Sequence, residues 1–233
     1  MKVDIWSDIR CPFCYIGKRK FEKALEKFPH KDDVKVAWHS FQLDPNLTTN
    51  TDVNVIDYIA EVKGISQGQA KEMHRHVTQV AKEAGLDFKF DKTVVANSFN
   101  AHRLIQLAKV HDLANEAEEA LFKAHFEEGK NIDDDEILAQ TGIAIGLDEK
   151  DVREMITSDA YSAEVRQDEM QARSIGVRGV PFFVLNNKYG VSGAQSPGTF
   201  LEVLEQTRRE FEKENKSFIT TEGETCSTDG NCN

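Results

Sequence analysis

Up to Pro45 the hydrophobic positions change period twice. Val3, Ile5 and Trp6 form a short apolar run suited to a strand, and Cys14, Phe21, Leu25 and Phe28 then fall at separations of seven, four and three. That second spacing is the apolar stripe of a helix facing a core. Next, Val34, Val36 and Trp38 alternate with Lys35, Ala37 and His39, and the run stops at Phe41-Gln42-Leu43-Asp44-Pro45. This is a second strand. No tight hairpin signal joins the two strands, so the order predicts a βαβ unit with parallel strands and a right-handed crossover.

From about Asp52 to Ser174 strand signals almost vanish. Around Asn97 to His111, residues Ala101, Leu104, Ile105 and Ala108 share a helical face; Ala117, Leu121 and Ala124 continue the theme, widened by Phe122 and Phe126. The run Asn131 to Glu136 opens another helix, which breaks near Gly146. This region is expected to be an inserted subdomain of four to six helices. Strands return at Val180 to Leu185 and at Tyr189 to Ser192, with Asn186-Asn187 between them supplying the left-handed conformations a tight turn needs. Ser196 and Pro197 then cap and open a last helix, whose buried face is Phe200, Leu201, Leu204 and Phe211. The pattern is that of an α/β, thioredoxin-like fold with a large all-helical insertion. Its expected limits are 1–48 and 175–216 for a discontinuous thioredoxin-like domain, 49–174 for the insertion and 217–233 for a flexible tail.

The chain has 233 residues, 39% of them hydrophobic, which is enough for a sizeable core without staples. A net charge of −11 argues against nucleic acid or an anionic membrane as partner, since both rely on clustered Lys and Arg. No window approaches a membrane span, and the first residues lack the apolar stretch of a signal peptide. The expectation is a soluble cytoplasmic protein, monomer or homodimer, where a paired Cys-x-x-Cys reads as redox or metal chemistry.

Cys11, Pro12, Phe13 and Cys14 form that pair, directly after the first strand and at the start of the first helix. Two cysteines three apart on a first helical turn can close and reopen a small disulfide ring. Cys11 at the helix start meets unpaired N–H groups and the positive end of the helix dipole, which favour a thiolate. Pro12 suits the first helical position. An exposed Cys11 is then the attacking sulfur, and Cys14, inward on the apolar stripe, resolves the mixed disulfide.

With Cys-Pro-Phe-Cys after the first strand and Gly179-Val180-Pro181 opening the third, the chain resembles the DsbA-like branch of the thioredoxin superfamily, with closest similarity to the FrnE-like dithiol-disulfide oxidoreductases. The resemblance runs to about residue 215 and includes Trp38 to Pro45, Asn97 to Arg103 and Ser192 to Gln195. It implies a cis proline at Pro181, lying against the dithiol and presenting the backbone of Val180 to a substrate. It also implies no bound cofactor, an external thiol reductant or oxidant such as glutathione, and disulfide- or thiol-bearing proteins or small thiols as partners. Phe13 stands where the strongly oxidising members carry histidine, which argues against a strong oxidant and leaves the direction of electron flow open. Kappa-class glutathione transferases and hydroxychromene carboxylate isomerases are similar in fold but generally lack the complete Cys-x-x-Cys. Asn97 to Arg103 resembles their glutathione-side helix, which keeps a glutathione-dependent isomerase or transferase as an alternative; His102 and Asn97 are candidate cleft residues on that ground.

A zinc-dependent interaction module is a third reading, because Cys226 and Cys232 supply a second pair. Their five-residue gap is longer than that of zinc knuckles, so metal is not expected. The pair is an auxiliary dithiol, a metal clip or an incidental loop. His74 and His76, two apart, point to different helix faces and do not form a metal pair. Trp6 and Phe13 beside the motif serve either packing or an apolar rim.

Overall fold

In the computed structural model, which describes residues 1–216, a sheet carries helices on both faces. β1 (Lys2–Ser7) leads through α1 (Pro12–Lys27) and a short 3-10 turn at Lys31–Asp33 to β2 (Lys35–Ser40). β5 (Phe182–Leu185) and β6 (Tyr189–Ser192) complete the sheet, and α9 (Pro197–Lys216) closes the described chain. The strand order is β2-β1-β5-β6, with β1 parallel to β2 and antiparallel to β5. The parallel pair is the expected βαβ unit, and the whole is a thioredoxin-like fold with a helical insertion. Asn186 and Asn187 both take positive φ, 47° and 55°, as the turn between β5 and β6 requires.

Between β2 and β5 lie seven helices, more than the four to six expected: α2 (Val55–Lys63), α3 (Gln67–Ala84), α4 (Phe99–Val110), α5 (Ala114–Phe126), α6 (Asp135–Ala144), α7 (Glu149–Ile156) and α8 (Ser162–Ser174). The surplus comes from splitting. Gly64 ends α2 and Gly85 ends α3, each in the left-handed conformation, and Ser66 opens α3 with a capping box. Two short strands, β3 (Asn50–Asn54) and β4 (Val94–Val95), also pair within this region. β3 is too polar and β4, two valines, too short to show an alternating pattern.

The pleat of β1 sorts its residues between two layers. Val3 and Ile5 join Phe21, Phe28, Phe183, Phe200 and Leu204 in a core under α1 and α9. Asp4 and Trp6 face the other way, where α8 covers the sheet: the Trp6 indole N–H donates to the Asp168 carbonyl at 3.1 Å and Trp6 packs with Ala172 and Val177. A third apolar cluster fills the insert and reaches into the first turn of α1, where Cys14, Tyr15 and Ile16 pack with Phe122, Leu121 and Phe126. The single stripe expected on α1 is therefore divided between two cores. Phe211, expected on the buried face of α9, is 38% exposed.

A half-buried ionic cluster around the buried Lys18 bolts α1 to α5. Lys18 Nζ bridges Glu22 at 2.5 Å and Glu119 at 2.9 Å, Arg19 pairs with the same two carboxylates, and the Tyr15 hydroxyl donates to Glu119 at 2.7 Å. Opposed by burial but outweighed by Arg19 and Lys18, the Glu119 carboxyl is held down to about 2. The charge that replaces an apolar contact here is thus fully paired.

Candidate active site

Cys11 is the N-cap of α1 and Pro12 its first helical residue. The Cys11 N–H donates to the Asp8 carbonyl at 2.9 Å and the Cys14 N–H to the Cys11 carbonyl at 3.0 Å, so the strand-to-helix turn fixes both sulfurs to one helical turn. Both are free thiols. Across from them the chain returns from α8, and the Val180–Pro181 peptide is cis. The Cys11 thiol donates to the Val180 carbonyl at 3.5 Å. Cys11 is only 6% exposed, against the exposure expected of it, because this carbonyl and the insert core close around the sulfur. Phe13, by contrast, is 40% exposed.

Close approach of α1 to the β5 entry depends on Gly17. A Cβ there would meet Pro181 Cγ at 2.9 Å and the Phe183 ring at 3.5 Å. Only glycine lets the helix pass this near, and the dithiol is held against Pro181 as a result.

Cys14 is 1% exposed and shielded, as its inward position predicts, by the insert core. Burial, then the neighbouring Cys11 sulfur, push its thiol well above the ordinary range. Behind it lies a polar layer sealed from solvent. The Ser7 hydroxyl lies near Cys14 and donates to Glu118 Oε2 at 3.3 Å. Burial pushes the Glu118 carboxyl up to about 7. Asp8 accepts from the Arg10 N–H at 3.1 Å and the Leu43 N–H at 2.7 Å, and its Oδ1 is 3.6 Å from His102 Nε2. For His102 burial works against the charged form, but Asp8, then Glu118 and Glu169, outweigh it and raise the imidazole above its ordinary value. Asp8 moves down in turn, burial being outweighed by His102 and the two N–H groups.

The structure thus brings Cys11, Cys14, Val180 and Pro181 together, with Pro12 and Phe13 on the outer side. His102 is fully buried beside Asp8 and does not line the cleft. Asn97 is half-buried and occupied: its amide donates to the Leu47 carbonyl at 2.7 Å, and its oxygen accepts from Gln42 and from the Phe99 N–H. Arg103 likewise spends its guanidinium on tying α4 to the end of α7 and the turn after it, donating to the Ala160 carbonyl at 2.8 Å and to those of Met155 and Ser158. Trp6, 1% exposed and stacked on His39 at 4.5 Å between ring centroids, belongs to packing and cannot form a rim. His74 is half-buried edge-on to Phe90, while His76 is exposed. Among the described residues no group of three or more His, Cys, Asp or Glu is placed to hold a metal. Cys226 and Cys232 lie outside the described residues.

Ser7, Asp8, Gly17 and Glu118 are the site residues that local spacing does not announce. Glu118 alone leaves a trace, since it falls on the same helical face as Leu121, Phe122 and His125, where an apolar residue is expected.

Residues 2–205 match the family model of the DSBA-like thioredoxin domain. A probable DsbA oxidoreductase from Streptomyces coelicolor is 38% identical, with a TM-score of 0.86 over 100% of this chain and 98% of that one. The Bacillus subtilis (strain 168) protein YwbO is 24% identical over 211 residues, 89% of this chain and 97% of its own length. A cytosolic disulfide reductase, DsbM from Pseudomonas aeruginosa, shares the fold at 18% identity, with a TM-score of 0.60 over 93% of this chain and 99% of that one. No helix among the described residues is long and apolar enough to cross a membrane.

Proposed function

This chain belongs to the DSBA-like thioredoxin family, and from that premise we propose that it is a dithiol-disulfide oxidoreductase of the FrnE-like kind, working through Cys11 and Cys14 in the cytoplasm. The observation that carries the reading is the placement of Cys11 at the start of α1, 3.5 Å from the Val180 carbonyl beside Pro181. A substrate chain lying along Val180 presents its sulfur to Cys11.

In the reducing direction Cys11 attacks one sulfur of the substrate disulfide as a thiolate, and the other leaves with the bonding pair. Cys14 then loses its proton and attacks Cys11 Sγ. The second substrate thiolate departs, leaving the enzyme oxidised by two electrons and the substrate reduced to two thiols. An external thiol, glutathione being the natural class, reduces the Cys11–Cys14 disulfide and completes the cycle. Run backwards the same steps oxidise a dithiol, and run partway they isomerise. The raised thiol of Cys14 fits the resolving role: it stays protonated while Cys11 is free and reacts once Cys11 is engaged. The fold shared with a cytosolic disulfide reductase supports reduction as the working direction. In this reading Cys226 and Cys232 serve as an auxiliary pair.

Insulin reduction tests the proposal. Cys11→Ser abolishes turnover. Cys14→Ser accumulates a mixed disulfide on Cys11, visible by non-reducing electrophoresis and mass spectrometry. Turnover that survives Cys11→Ser refutes the assignment. Replacing Cys226 and Cys232 by Ser without effect on turnover or on reduction of the enzyme removes the auxiliary role.

A further inference from the structure

Pro12 and Phe13 form one wall of a cavity of about 570 Å³, bounded otherwise by Leu43 and Asp44 and by the α2–α3 hairpin. That volume lies within the range of sites for small organic molecules, roughly 300–1,000 Å³. The interior is chiefly apolar, with Val55, Ile59, Val77 and Val94 among its walls. Phe13, Leu43, Val62 and Met73, four of the large apolar side chains the surface leaves exposed, gather at this one place. Such a concentration marks a binding surface.

Arg10 gives the cavity its polarity. It precedes Cys11 in the chain and lines the cavity, with its guanidinium 5.8 Å from the centre of the Tyr58 ring. Among the described residues that guanidinium makes no hydrogen bond and no ion pair. The carboxylate in the same wall, Asp44, is engaged instead by the Tyr58 hydroxyl at 3.4 Å and the Asn46 N–H at 3.1 Å. His125, also in the wall, is kept neutral: burial, then the Arg10 charge, hold it down to about 4. The exposed Lys63 adds a second cation. An unpaired guanidinium over an apolar recess, in a chain whose net charge is −11, is built to receive a carboxylate, which a guanidinium binds in a two-point fork.

We infer that this cavity selects the substrate of Cys11 as a small organic disulfide or thiol with an apolar body and a carboxylate, the body filling the α2–α3 recess and the carboxylate held by Arg10. The inference rests on the exchange reading and names the substrate class for that same site. The chemistry is unchanged: Cys11 thiolate displaces one substrate thiolate, Cys14 displaces the other, and an external thiol re-reduces the enzyme.

Two aromatic disulfides of similar size test it: 5,5′-dithiobis(2-nitrobenzoate), with a carboxylate on each ring, and the neutral 2,2′-dithiobis(5-nitropyridine). The ratio of their kcat/KM values is expected to fall at least about tenfold in Arg10→Gln, through KM, and to fall less in Arg10→Lys, which keeps the charge but not the fork. In the unaltered protein 4-nitrobenzoate competes with the neutral disulfide and 4-nitrobenzamide does not, a result that needs no variant to fold. An unchanged ratio in Arg10→Gln, or equal inhibition by the benzoate and the benzamide, overturns the inference while leaving thiol exchange intact. Absence of any Cys11-dependent reduction of either disulfide overturns the exchange reading and the inference with it.

Discussion

Glu118 shows how a single residue can be costly to the fold and still be retained. It is buried beside Ser7 and His102, and its folded-state value of about 7 stands above the ordinary 4.5 of a glutamate. The folded chain therefore holds that proton more tightly than the unfolded one. The stability it confers is complete below about pH 4.5 and is lost as pH rises through about 7, a change of roughly 3 kcal/mol. Urea denaturation of Glu118→Gln and of the parent protein at pH 5 and pH 8 should show the variant gaining by about this amount at the higher pH; a constant difference would mean the carboxyl does not ionise in place. The cysteines of the site are legible in the sequence because their chemistry depends on neighbours three residues apart. Glu118 and His102 reach Ser7 and Asp8 only through tertiary packing, and Gly17 matters only because Pro181 arrives from more than 160 positions away.

Among the elements, the join between the sheet and α8 is polar where an apolar contact would be expected. His39 of β2 lies between Asp4 of β1, at 2.6 Å, and Asp168 of α8, at 2.8 Å; Asp168 also accepts from the Ser40 N–H and the Gln106 amide. Burial disfavours the imidazolium, yet Asp168 and Asp4 outweigh it and raise His39, while His39 draws both carboxyls down against their own burial. The signs set a window. The His39 contribution is whole below pH 6.5 and is lost as pH climbs through its raised value, and the Asp contributions are whole above pH 3.8 and are lost as pH falls through their lowered ones. His39→Gln is thus expected to cost most between about pH 4 and 6.5, on the order of 3 kcal/mol, with the gap narrowing at alkaline pH. Urea midpoints across that range measure it, and a pH-independent gap would show that the imidazole is held neutral. In the sequence, strand alternation places His39 opposite Trp38, but nothing local says which helix covers that face. The strands and the long helices are legible from period alone; the splitting of the insert into seven helices rests on glycine caps within nearly continuous polar stretches.

For the whole molecule, α1 makes one body of two cores. Phe21, Ala24 and Phe28 belong to the sheet, and Cys14, Tyr15 and Ile16 to the insert, where the Tyr15 ring stacks on Phe122 at 4.9 Å. Phe122→Ala, in a different apolar cluster from either tryptophan, should cost about 3–5 kcal/mol. Because α1 is shared, far-UV circular dichroism from the insert helices and fluorescence from Trp6 and Trp38 in the sheet should lose their transitions at the same urea concentration. A shift in the first signal alone would show the insert melting by itself. The sharing could not be read from the stripe on α1, which gives an apolar face without saying that two different partners divide it. The same arrangement governs how the site withstands peroxide. Hydrogen peroxide must come to a sulfur to oxidise it, and with Cys14 only 1% exposed the path leads to Cys11 alone. A sulfenic acid formed there has a thiol one helical turn away to condense with, ending as a reducible disulfide before it can climb to the irreversible sulfinic and sulfonic acids. Roofing the second cysteine with an entire helical insert thereby confers durability on the catalyst.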